Sequence, residues 1–121
     1  MSCVKVEKDI FREYDIRGDA DRDLTDGTVE AIGRAYGTWL RRRGVNRVST
    51  GGDVRLSTKR IRAAVTRGLL AAGIDVTDID VVTTPLLYWS LRHLELRGGV
   101  MITGSHNPPE MNGLKLCWDK G

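Results

Sequence analysis

Residues 45–82, VNRVSTGGDVRLSTKRIRAAVTRGLLAAGIDVTDIDVV, decide the fold. A short strand is predicted through Val45 to Thr50, ending at Gly51-Gly52. A helix starts at Ser57, carries Ile61, Ala64, Val65, Leu69 and Ala72 on one face, and stops at Gly73. Ile74 to Val82 is β-branched and reads as a second strand. Strands separated by helices of this length imply crossover connections and a sheet covered on both faces.

The flanks extend the same pattern. Upstream, Thr25 can cap a helix with Asp26 in its first turn, Val29, Ile32, Tyr36, Trp39 and Leu40 recur at helical spacing, and Gly44 follows as a stop. Downstream, Thr84 offers a cap and Pro85 the residue preferred at the first helical position, opening a short helix with Leu87, Leu91 and Leu94 inward. A strand over 99–103, a polar loop and a last strand over 114–118 complete the pattern, and the loop is short enough for those two strands to pair antiparallel. The expected fold is a three-layer α/β/α sandwich with a mixed, mostly parallel sheet of about four strands.

The chain has 121 residues, 40% hydrophobic and 29% charged, which fits one domain able to form a core without disulfides or a structural metal. Disorder, collagen and coiled coil are excluded by composition, and no apolar run approaches the ~20 residues of a membrane span. The charged start, with Lys5, Glu7, Lys8 and Asp9, lacks the apolar segment of a signal peptide, so the expected location is cytoplasmic. Cys3 and Cys117 form no short-spaced pair and are expected reduced. The 19 basic residues outnumber the 16 acidic. Arg41, Arg42, Arg43 and Arg47 could form a nucleic-acid patch, but no aromatic residues alternate with them to stack bases. Arginines in the last turn of a helix complement its dipole, so no nucleic-acid partner is expected.

The richest chemistry lies in Thr103-Gly104-Ser105-His106-Asn107-Pro108-Pro109-Glu110-Met111-Asn112-Gly113-Leu114-Lys115, a loop leaving a predicted strand. Gly104 permits a sharp turn or close approach to a ligand, and Pro108 and Pro109 restrict the conformations open to Ser105. A rigid loop presenting one hydroxyl can mount a nucleophile, with His106, Asn107 and Lys115 available to donate to phosphate oxygens or move protons. The alternative is a proline-stiffened surface turn in which Ser105 and Asn107 satisfy backbone groups.

Two further clusters stand out. Phe11-Arg12-Glu13-Tyr14-Asp15-Ile16-Arg17-Gly18 crowds charge and a phenol together without clear periodicity. Arg17 there could meet phosphate, since its planar fork suits phosphate oxygens, or pair with Asp15 in a solvated loop. In Gly51-Gly52-Asp53-Val54-Arg55-Leu56-Ser57, Asp53 and Arg55 stand at a strand end, where active sites of open α/β sheets gather. A structural ion pair ordering the loop is the expected role.

Together these segments resemble the α-D-phosphohexomutases, specifically the first domain of phosphomannomutase/phosphoglucomutase enzymes. The resemblance rests on Tyr14-Asp15-Ile16-Arg17-Gly18, Gly51-x-Asp53-x-Arg55, Thr83-Thr84-Pro85 and, above all, the loop from Thr103 to Pro108 followed by Asn112-Gly113-x-Lys115. It implies that residues 1–121 are the N-terminal, phosphoserine-bearing domain of a larger four-domain enzyme, truncated at its C-terminal end. It also implies that Ser105 carries a phosphoryl group between the 1- and 6-positions of a hexose phosphate through a bisphosphorylated sugar. Lys115 and Arg17 then become proton-transfer or charge-stabilising groups, and Tyr14, His106 and Asn107 line or shape the substrate site. Mg²⁺ would bind the Ser105 phosphate, its other ligands coming from a domain absent here, and sugar 1,6-bisphosphate would act as activator or intermediate. The spelling Thr-Gly-Ser-His-Asn-Pro leans toward glucose and mannose substrates.

The family's aspartate-rich metal loop is missing. Asp19-Ala20-Asp21-Arg22-Asp23 has a similar spacing but sits in a linker-like turn and reads as solvated. The isolated domain is therefore expected to be inactive, with the enzyme's other domains as partners and self-association through bared interdomain surface an open option. A stand-alone phosphosugar-binding or regulatory module is the alternative function. A serine hydrolase fits less well, because no Gly-x-Ser-x-Gly elbow occurs.

Overall fold

A computed structural model describes residues 6–12, 15–105 and 107–118. Tyr14 and His106, both expected in the site, lie outside the described residues, as does Cys3. The described residues form a 3-10 turn (Lys8–Ile10) followed by β1 (Ile16–Asp19), α1 (Asp26–Arg41), β2 (Arg47–Gly52), α2 (Thr58–Ala71), β3 (Asp75–Val81), α3 (Thr84–His93), β4 (Gly98–Ile102) and β5 (Met111–Trp118). The strands make one sheet in the order β1-β5-β4-β2-β3. β2 pairs parallel with β3 and β4, and β5 pairs antiparallel with β4 and β1. The three-layer mixed sandwich is as expected, with five strands in place of about four and as many antiparallel as parallel pairings.

The added strand is β1, in the segment where the sequence shows no periodicity. Its four residues include Gly18, and they become a strand only by pairing with β5, Ile16 opposite Leu114 and Arg17 opposite Gly113. Elsewhere the sequence signals hold with small shifts. Thr25 caps α1, its hydroxyl accepting the Thr28 N–H at 3.3 Å. The α3 cap is Thr83 instead of Thr84, accepting from Leu86 N–H at 3.3 Å, so Pro85 takes the second helical position. Ser57 precedes α2 in helical backbone conformation without a capping bond, and its hydroxyl accepts instead from Asn112 Nδ2 at 2.8 Å.

α1 and α2 cover one face of the sheet and α3 the other. Val29, Leu40, Ile61, Val65 and Leu69 close over Val100, Ile102 and Leu114 on the first face, all fully buried. Each such side chain contributes roughly 1.5–3 kcal/mol by leaving water. Leu87 and Leu91 of α3 pack on Met101 and Cys117 on the second. The two helices of the first face approach backbone to backbone: a Cβ on Gly68 would lie 2.1 Å from Glu30 O, a distance no larger residue survives without displacing a helix. Trp39, expected inward, is instead half-exposed beside Trp118, with Arg43 stacked 3.7 Å over its ring.

The arginine run ends the helices as their dipoles favour. Arg43 donates to Trp39 O at 3.0 Å, in the last turn of α1, and Arg41 to Ala72 O at 3.2 Å, the residue that caps the end of α2. Among the described residues no helix is long and apolar enough to cross a membrane.

Candidate active site

The sheet's geometry collects the candidate residues at the carboxyl ends of β2 and β4, where open α/β sheets hold their ligands. The chain leaves β4 at Ile102, and Thr103 donates its N–H to Gly113 O at 2.9 Å. Gly113 is in turn the register partner of Arg17. The serine loop thus begins one strand away from Arg17. Paired residues share a face, so Arg17, Gly113 and Lys115 lie on the α3 side of the sheet, Lys115 opposite Met101. Ser105, Arg17 and Lys115 are brought to the same end of the sheet.

Ser105 is exposed and has φ +54°, the left-handed region that costs a non-glycine residue about 1–3 kcal/mol. Local bonds hold it there. Its N–H donates to Thr103 Oγ1 at 3.0 Å, and its carbonyl accepts from Arg55 Nη2 at 3.1 Å. Asn107 closes the turn by directing both its backbone N–H (2.9 Å) and its side-chain amide (2.8 Å) at Gly104 O. The stiffened turn that composition suggested is present, and these bonds fix the Ser105 backbone.

Asp53 and Arg55 form the expected ion pair, Nε to Oδ2 at 3.3 Å. Its reach into the serine loop is what sequence reasoning could not supply. Asp53 Oδ2 also accepts the Gly104 N–H at 3.1 Å, and Arg55 donates to the carbonyls of Ser105, Asn107, Pro108 and Met111. Burial alone would raise the Asp53 carboxyl, but hydrogen bonds from Thr58, the Arg55 N–H and the Gly104 N–H outweigh it and hold the group below the usual carboxylate range. Asn112, fully buried, completes the frame by donating to Ser57 Oγ at 2.8 Å and Thr58 Oγ1 at 3.0 Å, which ties the start of β5 to the start of α2.

Gly104 reports how tightly this frame is built. A Cβ there would lie 2.3 Å from both Cζ and Nε of Arg55. Gly104→Ala is expected to push the guanidinium out of its bonds and lower unfolding free energy by about 1–3 kcal/mol. Urea denaturation checks this, and a change within measurement error would show that the guanidinium moves freely.

Arg17 pairs with Asp15, Nε to Oδ1 at 3.1 Å, as the solvated-loop reading expected, yet it stands on a strand. The contact lacks hydrogen-bond geometry, and among the described residues the buried Nε has no hydrogen-bond partner. The side chain stays 39% exposed, anchored at one nitrogen and accessible to a ligand. Cys117, by contrast, is no rival nucleophile: burial pushes its thiol up to about 11, with Lys115 opposing the rise only in part.

The described residues do not build a Mg²⁺ site of their own. No three His, Cys, Asp or Glu side chains among them converge to hold a metal. The Asp19–Asp23 turn spends its carboxylates internally, Asp19 Oδ1 on the N–H groups of Asp21 (3.0 Å) and Arg22 (2.9 Å), Asp23 Oδ2 on that of Asp19 (2.9 Å).

Fold and site together define a class: an α/β/α sandwich that presents one serine on a fixed loop beside a basic strand edge. Residues 8–121 match the family model described as phosphoglucomutase/phosphomannomutase, alpha/beta/alpha domain I. The chain belongs to that family and corresponds to its domain I. It is 43% identical over 111 residues to a phosphoglucomutase of Neisseria gonorrhoeae, covering 92% of this chain and 24% of that protein. A phosphomannomutase/phosphoglucomutase of Pseudomonas aeruginosa is 46% identical over 107 residues, covering 88% of this chain and 23% of that protein. A phosphoglucomutase/phosphomannomutase family protein of Burkholderia thailandensis superposes with a TM-score of 0.88 at 36% identity, over 94% of this chain and 27% of that one. The chain spans about a quarter of the length of these relatives.

Proposed function

We propose that this domain is the N-terminal, phosphoryl-carrying part of a four-domain enzyme that interconverts hexose 1-phosphate and hexose 6-phosphate of glucose or mannose. The observation that carries the reading is Ser105, exposed at positive φ on a loop fixed from below by Asp53 and Arg55. In the first half-reaction a sugar hydroxyl oxygen attacks the phosphorus on Ser105 Oγ, the Oγ–P bond breaks, and the sugar's proton passes to a base. The bisphosphorylated sugar then turns over and returns its other phosphoryl group to Oγ.

Phosphoryl transfer asks chiefly for positioning and for positive charge near the transferring oxygens. Arg17 supplies a fixed guanidinium, and Lys115 a cation that moves a proton or stabilises charge. Asn107, with Tyr14 and His106, shapes the substrate side of the loop. Mg²⁺ on the Ser105 phosphate would add charge stabilisation, its remaining ligands coming from outside this domain, and sugar 1,6-bisphosphate would prime the serine. The partners are hexose phosphate and the enzyme's other domains, and the proposed location is the cytoplasm.

A coupled assay on glucose 1-phosphate and mannose 1-phosphate tests the reading. The complete enzyme is expected to turn over either or both, and residues 1–121 alone neither. No conversion by the complete enzyme with sugar 1,6-bisphosphate present would overturn the function, and steady turnover by the isolated chain would overturn the division of labour.

A further inference from the structure

Arg55 Nη1 donates to Pro108 O (2.6 Å) and Met111 O (3.2 Å), Nη2 to Ser105 O (3.1 Å) and Asn107 O (2.7 Å), and Nε faces Asp53 Oδ2 at 3.3 Å. A guanidinium has five N–H groups; the four on Nη1 and Nη2 donate to these carbonyls, and Nε lies in ion-pair contact with the Asp53 carboxylate. All three nitrogens are thus engaged by the protein itself, which sets Arg55 apart from a ligand of the transferring group. We propose that Arg55 is a positioning residue that sets the rate of transfer at Ser105 by fixing the backbone of the serine loop. The inference rests on the reading of Ser105 as phosphoryl carrier.

The loop needs such a centre because of its composition. Pro108 and Pro109 carry no N–H, so the segment cannot close a ladder on itself. Among the described residues its internal backbone bonds are the single turns from Asn107 N–H to Gly104 O and from Met111 N–H to Pro108 O. Four carbonyls spread over seven residues therefore converge on one planar cation. Ser105 holds an unfavourable φ of +54° between its bond to Thr103 Oγ1 and its bond to Arg55. Loss of the second lets the residue relax toward an ordinary backbone region, which turns its Cα–Cβ bond and moves the hydroxyl. A displacement of about 1 Å at a reacting group can cost up to 10²-fold in rate. Lysine cannot substitute, since one ammonium offers three donors from a single point.

The test is Arg55→Lys in the complete enzyme, with Asp53→Asn, which loosens the Nε anchor, as second variant if the first does not fold. Three quantities are read: kcat and KM for hexose 1-phosphate, hydrogen exchange at the Ser105, Asn107 and Met111 amides, and the fraction folded by circular dichroism. The expected result is loop exchange faster by about tenfold or more with β4 amides unchanged, together with kcat per folded molecule down by at least about tenfold and KM within about threefold. Unchanged loop exchange in a folded variant overturns the clamp. A loosened loop with kcat intact, or a raised KM with kcat intact, overturns the positioning role. A wild-type enzyme with no turnover and a bare Ser105 overturns the functional reading and the rate assignment with it, while the exchange data still decide whether Arg55 fixes the loop.

Discussion

Ser105→Ala in the complete enzyme is expected to reduce hexose phosphate interconversion to background, a loss of about 10⁴-fold or more, because it removes the oxygen that carries the phosphoryl group. Folding should be unaffected, since the side chain is exposed and the bonds that hold the residue come from its backbone. Wild-type enzyme purified from cells should yield a single serine phosphopeptide by mass spectrometry, the one containing Ser105. Within this domain the structure gives a reason for that selectivity. Ser49 and Ser90 are buried with their hydroxyls 3.0 Å apart, and Ser57 Oγ accepts from Asn112 at 2.8 Å. Substrate added without bisphosphate should drain the Ser105 phosphate as the bisphosphorylated sugar escapes. An active wild-type enzyme whose Ser105 stays unmodified, or an Ala variant that keeps its rate, would sink the mechanism.

Much of this site was legible because its signals are local. The strand, helix and strand of residues 45–82 announce themselves through β-branched runs, a 3.6-residue apolar stripe and terminal glycines, and each survives in the fold within a few residues. The serine loop shows itself the same way, through Gly104 and two prolines. What escaped depends on partners far along the chain. β1 has no pattern of its own and exists because β5, about a hundred residues on, offers it an edge. Asn112 and Gly113 fall in the predicted polar loop, yet both lie inside β5, where Asn112 finds its hydrogen-bond partners in Ser57 and Thr58 at the start of α2. The Asp53–Arg55 pair was readable as an ion pair from its spacing. Its four carbonyl partners were not, because they sit 50 to 56 residues downstream.

Arg17 is where the bland and the functional reading meet, and one substitution separates them. Its Asp15 contact is an ion pair without hydrogen-bond geometry, between an arginine side chain 39% exposed and a carboxylate only 12% exposed. Arg17→Ala removes the partner of that mostly buried carboxylate and is expected to lower unfolding free energy by about 1–3 kcal/mol, read as a drop of several degrees in thermal midpoint with the fold retained. Catalysis should respond differently. The Arg17 register places it across Gly113 from the start of the serine loop, on the same face as Lys115. A guanidinium held there can meet charge that develops on the transferring oxygens, an interaction stronger in the transition state than in the ground state. Its loss is expected to lower kcat/KM by about 10²-fold or more. Because the interaction belongs to the transition state, the fall should lie mainly in kcat, and phosphate should still be found on Ser105. Arg17→Lys should recover part of the rate, since it restores the charge without the planar fork. A variant that keeps full activity, or loses it only in step with unfolding, would return Arg17 to the role of structural partner of Asp15.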